Sequence, residues 1–180
     1  KMTRILPLSA VLLAMAAPVF AAGGDSTTPP TSTSTTTKCE KGQGFDEKTA
    51  KCLDAKSEAV TDDDRYNAAR ELAYNGEYDR ALMVLATAEN ENDPRILNYK
   101  GFTHRKMGDT DAAMGFYQAA LNVDPDYILA RSYMGQGYVT EGRVDEAYAQ
   151  LLEIRERGGE GSWPEVALRD AIMTGTTTRY

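Results

Sequence analysis

Few side chains in this sequence can do covalent or metal chemistry. His104 is the one histidine, and Cys39 and Cys52 are the only cysteines, in a chain of 180 residues. A triad built on imidazole requires His104, and nothing else in the sequence supports one. Zinc wants about four ligands, which two cysteines and one distant histidine do not supply. The cysteines also lack the C-x-x-C spacing of a redox pair. A structural disulfide, Cys39–Cys52, is the reading that fits an oxidising compartment; it closes a short loop rich in lysine and glycine. The run Asp62-Asp63-Asp64 lacks the alternation and glycine of a calcium loop. Behind Thr61 it reads as negative charge at a helix start. Neither Gly42-Gln43-Gly44 nor the loop Gly158 to Ser162 has the lysine of a phosphate loop. This inventory predicts no catalytic residue, no metal and no cofactor, so a protein that is not an enzyme.

Charge narrows the classes further. Lys+Arg is 20 and Asp+Glu is 27, a net −7, against the basic face that nucleic-acid binding needs. Residues 1–22 read as a secretory signal peptide. Lys1 and Arg4 precede an apolar run from Ile5 to Phe20, and Val19-Phe20-Ala21 supplies a small-residue cleavage site. The run is shorter than a membrane span and holds Pro7 and Pro18, so no stable membrane anchor is expected after cleavage. Losing Lys1 and Arg4 takes the charge from −7 to −9. The expected location is periplasmic or secreted. Residues 23–37 are a Ser/Thr/Pro tract without large apolar groups, expected to be a disordered linker. Residues 38–60 are expected to be the small disulfide loop and a connector.

Beyond Thr61 the chain repeats. Gly101, Gly108 and Ala113 recur 34 residues on as Gly135, Gly142 and Ala147. Gly76, Ala81 and Ala88 recur 32 residues on as Gly108, Ala113 and Ala120. A period near 34 with two helices per copy marks a helical solenoid. In each copy a glycine ends one helix by a left-handed turn. A polar residue such as Asp109 then caps the next. Ala113 and Ala147 are small where two helices cross, and Leu85, Tyr117 and Leu151 follow one turn later. Asp93-Pro94 and Asp124-Pro125 are expected to open the next copies, with aspartate as cap and proline in the first turn. Ser162-Trp163-Pro164-Glu165 has the spacing of a capping box ahead of a last helix, expected over 162–174 with a tail at 175–180.

These residues resemble the tetratricopeptide-repeat family, whose pattern is W-x₂-L-G-x₂-Y, then A-x₃-F, then P. The second copy has Gly101, Ala113-x₃-Tyr117, Ala120 and Pro125; the third has Met134-Gly135-x₂-Tyr138 and Ala147-x₃-Leu151. The first has Ala69, Leu72, Ala81-x₃-Leu85, Ala88 and Pro94. No copy has the tryptophan, and the third lacks the final proline. The resemblance implies an all-α fold: an α-solenoid of three such helix pairs at 62–93, 94–127 and 128–157, plus a C-terminal capping helix that shields the last copy.

It also implies that the first helix of each pair lines a concave groove. On those helices the groove residues are expected to be Tyr66, Arg70 and Tyr74, then Asn98, Tyr99, Phe102 and Arg105, then Tyr133 and Gln136. Aromatics and arginines are the types that anchor interfaces, although aromatics at these spacings also pack between helices. The slots that form a peptide-carboxylate clamp in a subset of the family hold Tyr66, Arg70, Tyr99, Leu129 and Tyr133 here, so that activity is not carried over. The function expected is a protein–protein interaction adaptor of the bacterial envelope, holding a peptide or partner helix in the groove. The alternatives are a self-associating structural protein, which leaves a homo-oligomer open, and an envelope enzyme or small-molecule-binding protein.

Overall fold

The computed structural model describes residues 34–46, 49 and 51–177. The expected signal peptide at 1–22 and most of the expected linker lie outside the described residues. The element order is α1 (Ser34–Lys38), β1 (Gln43–Asp46), β2 (Lys51–Asp54), α2 (Asp62–Tyr74), α3 (Tyr78–Leu85), α4 (Pro94–Lys106), α5 (Thr110–Val123), α6 (Ile128–Thr140), α7 (Val144–Glu156) and α8 (Trp163–Thr174). From α2 onward the chain is an all-α solenoid. Helices α2–α3, α4–α5 and α6–α7 form three pairs, and α8 packs against both α6 and α7.

The turns that join each pair follow from the glycines. Gly76, Gly108 and Gly142 have φ of 80°, 88° and 74°, a region an L side chain rarely enters. Small size matters most at Gly101. A Cβ there would lie 2.7 Å from the Tyr117 ring and 3.1 Å from the Ala113 carbonyl, so α4 and α5 approach too closely for alanine. Ala113 and Ala147 are fully buried at the matching crossings.

Several caps take the expected form. Thr61 and Asp64 make a reciprocal capping box at α2. Asp93 caps α4 with Pro94 behind it, and Asp109 caps α5 through the Ala112 N–H. Two expectations are corrected. Asp124 closes α5 instead of opening α6, which starts at Ile128 after Tyr127. The Pro125 carbonyl beside it accepts from Arg131 and Arg157. Ser162 precedes α8 without a side-chain cap bond. Its hydroxyl donates to the Gly159 carbonyl, and Glu165 turns to Arg155 and Arg169. A buried carboxylate, 1% exposed, is held more firmly by guanidinium groups than by one N–H.

The N-terminal region is a second departure from the expected loop. Cys39 and Cys52 are bonded, with Cα atoms 5.4 Å apart. Around them β1 and β2 pair antiparallel, Phe45 opposite Cys52. The last residues of the expected linker, Ser34 to Thr37, belong to α1. They are ordered because Thr35 docks: its hydroxyl accepts from the Phe45 N–H, and its carbonyl accepts from Arg80. Arg80 also donates to the carbonyls of Cys39 and Glu40, at 2.8 and 3.3 Å. Gly44 lies against Ala68, where a Cβ would be only 3.0 Å from the Ala68 methyl. The disulfide hairpin is therefore a lid on the open end of the first pair.

Two measurements test this part of the molecule. Closing a loop of this size contributes about 3 kcal/mol in the chain-entropy model. Reduction, or Cys39→Ser with Cys52→Ser, is expected to lower the urea midpoint accordingly, and the unreduced, denatured protein should show no free thiol. A change below about 0.5 kcal/mol would mean that Arg80 alone seats the hairpin. The second concerns Asp62. Burial pushes its carboxyl up. The N–H groups of Asn90 and Glu89 and the Arg65 guanidinium outweigh this, leaving it below the ordinary 3.8. A lowered carboxylate stabilises the fold above its ordinary pKa, and the gain is lost as pH falls through the lowered value. Asp62→Asn should thus cost on the order of 1 kcal/mol at pH 7, and the gap to wild type should close on acidification below 3.8.

Candidate inner-face site

The inner face is built from α2, α4 and α6, and rings fill it. Tyr66 packs edge-on to Tyr99 at 5.4 Å between centroids. Tyr74 stacks on Phe102 at 5.4 Å with only 11° between planes. Tyr133 reaches Phe102 from the other side at 4.9 Å and Tyr99 at 6.2 Å. Trp163, at the start of α8, meets Tyr133 edge-on at 6.3 Å. The Tyr74 and Tyr133 hydroxyls lie 2.5 Å apart, a hydrogen bond from the first pair to the third that passes over the second.

This packing corrects the expectation of an open groove. Asn98, Tyr99, Phe102, Tyr133 and Gln136 are all fully buried. Tyr66, Arg70 and Arg105 are buried as well, and Tyr74 is half-buried. The nine residues are brought together on one face, as their spacing implies, but as a core layer and not as a free surface. Large rings on three successive helices meet on the inside of a tight curve, where burying them stabilises the stack.

Polar groups are threaded through these rings. Arg70 Nε donates to the Tyr99 hydroxyl at 3.2 Å and stands 6.0 Å over the Tyr74 ring. Arg105 Nε donates to the Tyr117 hydroxyl at 3.3 Å, and its guanidinium stands 5.6 Å over Phe102 and 6.0 Å over Tyr133. Burial pushes the Tyr117 phenol up, against the pull of Arg105, so it stays a neutral partner. Gln136 donates to Ser132, whose hydroxyl donates to the Pro164 carbonyl at 2.7 Å and ties α6 to α8.

Two buried polar atoms on α4 have no hydrogen-bond partner among the described residues: Asn98 Oδ1, an acceptor, and Arg105 Nη2, a donor. Such orphans are uncommon and costly. They are seven residues apart on one helix face, about 10 Å along the axis. Arg105 also takes part in no ion pair among the described residues. Sequence reasoning placed both residues on this face but not their unmet valences, which depend on Tyr127 and Tyr117 taking only one bond from each. It also missed the Tyr74–Tyr133 bond. The recurrence of tyrosine near the end of α2 and within α6 is the signal that was there to find.

His104 is on the outer side of α4, stacked on Phe116 at 5.3 Å with Nδ1 3.2 Å from Asp109. Among the described residues no group of three or more His, Cys, Asp or Glu side chains gathers as a metal site, and no helix is long and apolar enough to cross a membrane.

The ring layer yields a direct prediction. Phe102→Ala should cost about 3–5 kcal/mol and lower the helical signal on mild heating. Tyr133→Phe, which removes only the hydroxyl, should cost about 0.5–1.5 kcal/mol. Thermal melts followed by circular dichroism measure both; a neutral Phe102→Ala would mean that the rings are surface after all.

Comparison with known proteins agrees with this architecture. Residues 104–168 match the family model described as Tetratricopeptide repeat. The match runs from the end of α4 through the third pair into α8, so it includes the small-residue crossing at Ala147 and the turn at Gly142. A search of curated proteins returns no match. Repeats of this family are in general non-enzymatic units that bind protein partners. With three helix pairs turning on left-handed glycines and crossing at small residues, the chain has the build of a helical repeat array, and over residues 104–168 it is similar to tetratricopeptide repeats.

Proposed function

We propose that the protein is an adaptor of the bacterial envelope, which takes up an extended polypeptide segment along the inner face of its helix array. The repeat itself supports an interaction role, and the leader-like residues 1–22 support the compartment. The observation that carries the binding face is the orphan pair on α4. Asn98 Oδ1 accepts a peptide N–H, and Arg105 Nη2 donates to a peptide carbonyl or carboxylate. Three extended residues span about 10 Å, the distance between the two groups along the helix. Both atoms are buried, so a bound segment has to move part of the ring layer aside. Tyr74 is the half-buried ring at its edge, and the loss of its bond to Tyr133 is the cost of entry. A segment that satisfies two buried orphans regains about 1–3 kcal/mol for each, enough to offset one hydroxyl bond.

The test is a peptide-array screen of the chain lacking residues 1–22, followed by titration of the best peptides. Asn98→Leu and Arg105→Met should each weaken those peptides about tenfold, equivalent to about 1.4 kcal/mol, and melting temperatures should move by only a few degrees. Peptides that bind both variants as well as wild type would put the partner elsewhere. Cell fractionation with an antibody to the mature chain checks the compartment: a cytosolic pool without processing would end the envelope assignment.

A further inference from the structure

The outer surface of the third pair carries an apolar row that none of the described residues covers. Val144, Tyr148 and Leu152 follow at four-residue spacing along α7 and are 46%, 50% and 42% exposed. Ala149 beside them is exposed too. At about 100° per residue Val144, Tyr148 and Leu152 fall within about 80° of one another on the helix wheel.

Comparison between repeats shows why this row is unusual. The residues one and two repeats before Tyr148 are Met114 and Leu82, and both are partly buried against the main core. Met114 packs onto the helix that begins the next pair, its methyl 2.5 Å from where a Cβ on Gly137 would be. In α7 the same position is half in water, although α8 stands where the next pair would begin. Helix α8 ends at Gly175 with φ 68°. Gly76, Gly108 and Gly142 make the same turn two residues before the second helix of their pairs. Helix α8 thus has the form of the first half of a fourth pair, and among the described residues no second half follows.

The rim of the row is acidic. Asp145 and Glu156 fall within about 20° of each other on the helix wheel, on the solvent side of Leu152. Both are exposed, and neither takes part in an ion pair among the described residues. Arg155, which falls between Val144 and Tyr148 on the wheel, is committed to the buried Glu165 at 2.7 Å. We propose that the α7 row is a docking surface for an amphipathic helix of another protein, with an apolar ridge at three- or four-residue spacing and lysine or arginine along its edges. Charge decides the occupant. A second copy would set Asp145 and Glu156 against an equally acidic face of a chain that carries −7 overall, and like charges at a rim oppose association. The proposal does not rest on the inner-face reading.

The experiment uses the chain lacking residues 1–22 and two labelled helical peptides with the same leucine ridge, one edged with lysine and one with glutamate. Fluorescence anisotropy should show the lysine-edged peptide binding on the order of micromolar and the glutamate-edged one at least tenfold weaker. Tyr148→Glu and Leu152→Glu should each reduce binding at least tenfold. Asp145→Lys with Glu156→Lys should reverse the preference between peptides. These side chains are half exposed, so melting temperatures should hold, and Asn98→Leu should leave this binding unchanged. No binding of either peptide, equal binding of both, or undiminished binding to Leu152→Glu would overturn the proposal. So would a wild-type dimer in sedimentation equilibrium that Leu152→Glu dissociates, since a second copy would then be the occupant.

Discussion

Phe102 is held between Tyr74 of the first helix pair and Tyr133 of the third, and the shape of the array depends on that contact. A helix pair cannot hide its own apolar face, so each needs a neighbour. Here the neighbours are drawn together further than simple stacking demands, because rings from alternate pairs touch across the one between them. The close approach of α4 to α5 at Gly101 is the matching requirement on the other side of α4. Tight curvature on the ring side and close crossing at the glycine are two expressions of one constraint: α4 has little room on either face.

That constraint turns the expected groove into core. An inner surface lined by tyrosine and arginine has either an extended ligand or its own side chains to satisfy it. This sequence supplies side chains in excess, with ten tyrosines in 180 residues. The rings take up the space, and Arg70 and Arg105 stand over them as cations over π faces. What the rings cannot supply is hydrogen bonding at Asn98 Oδ1 and Arg105 Nη2. Apolar filling of the curve therefore goes further than its polar filling, and the two unmet atoms lie on α4.

The architecture was legible in the sequence for a physical reason. The turn glycines Gly76, Gly108 and Gly142 are set by backbone conformation, and Gly101, Ala113 and Ala147 by size, so their spacing reads out the repeat directly. The direction of the rings was not legible, because a tyrosine on the inner face of α2, α4 or α6 has the same spacing whether it meets solvent or a neighbour. Only the distance between helices decides, and that distance is a property of the whole stack. The caps at Asp124 and Ser162 failed for a related reason: tertiary partners, the arginines Arg131, Arg155 and Arg157, outbid the local motif. The hairpin around Cys39 and Cys52 was visible as a disulfide loop, but its seat on Arg80 joins residues about 40 apart and has no local signature.

The two ends of the array are closed by different means, and the difference bears on function. At the first pair a covalent loop is pinned by one arginine to three carbonyls. At the last pair α8 is held by a small apolar cluster of Val139, Leu151, Ile154 and Leu168, and by Glu165 between Arg155 and Arg169. A buried ion pair of this kind adds little net stability, yet losing one partner leaves a costly unpaired charge. Helix α8 is thus held by packing, with the ion pair fixing its place. Tyr138 packs against both the main cluster and this smaller one, so loosening at α8 reaches the rings through α6. A helix docked along α7 binds only the folded third pair and stabilises it by mass action. Tyr133 of that pair touches Phe102, and Phe102 touches Tyr74.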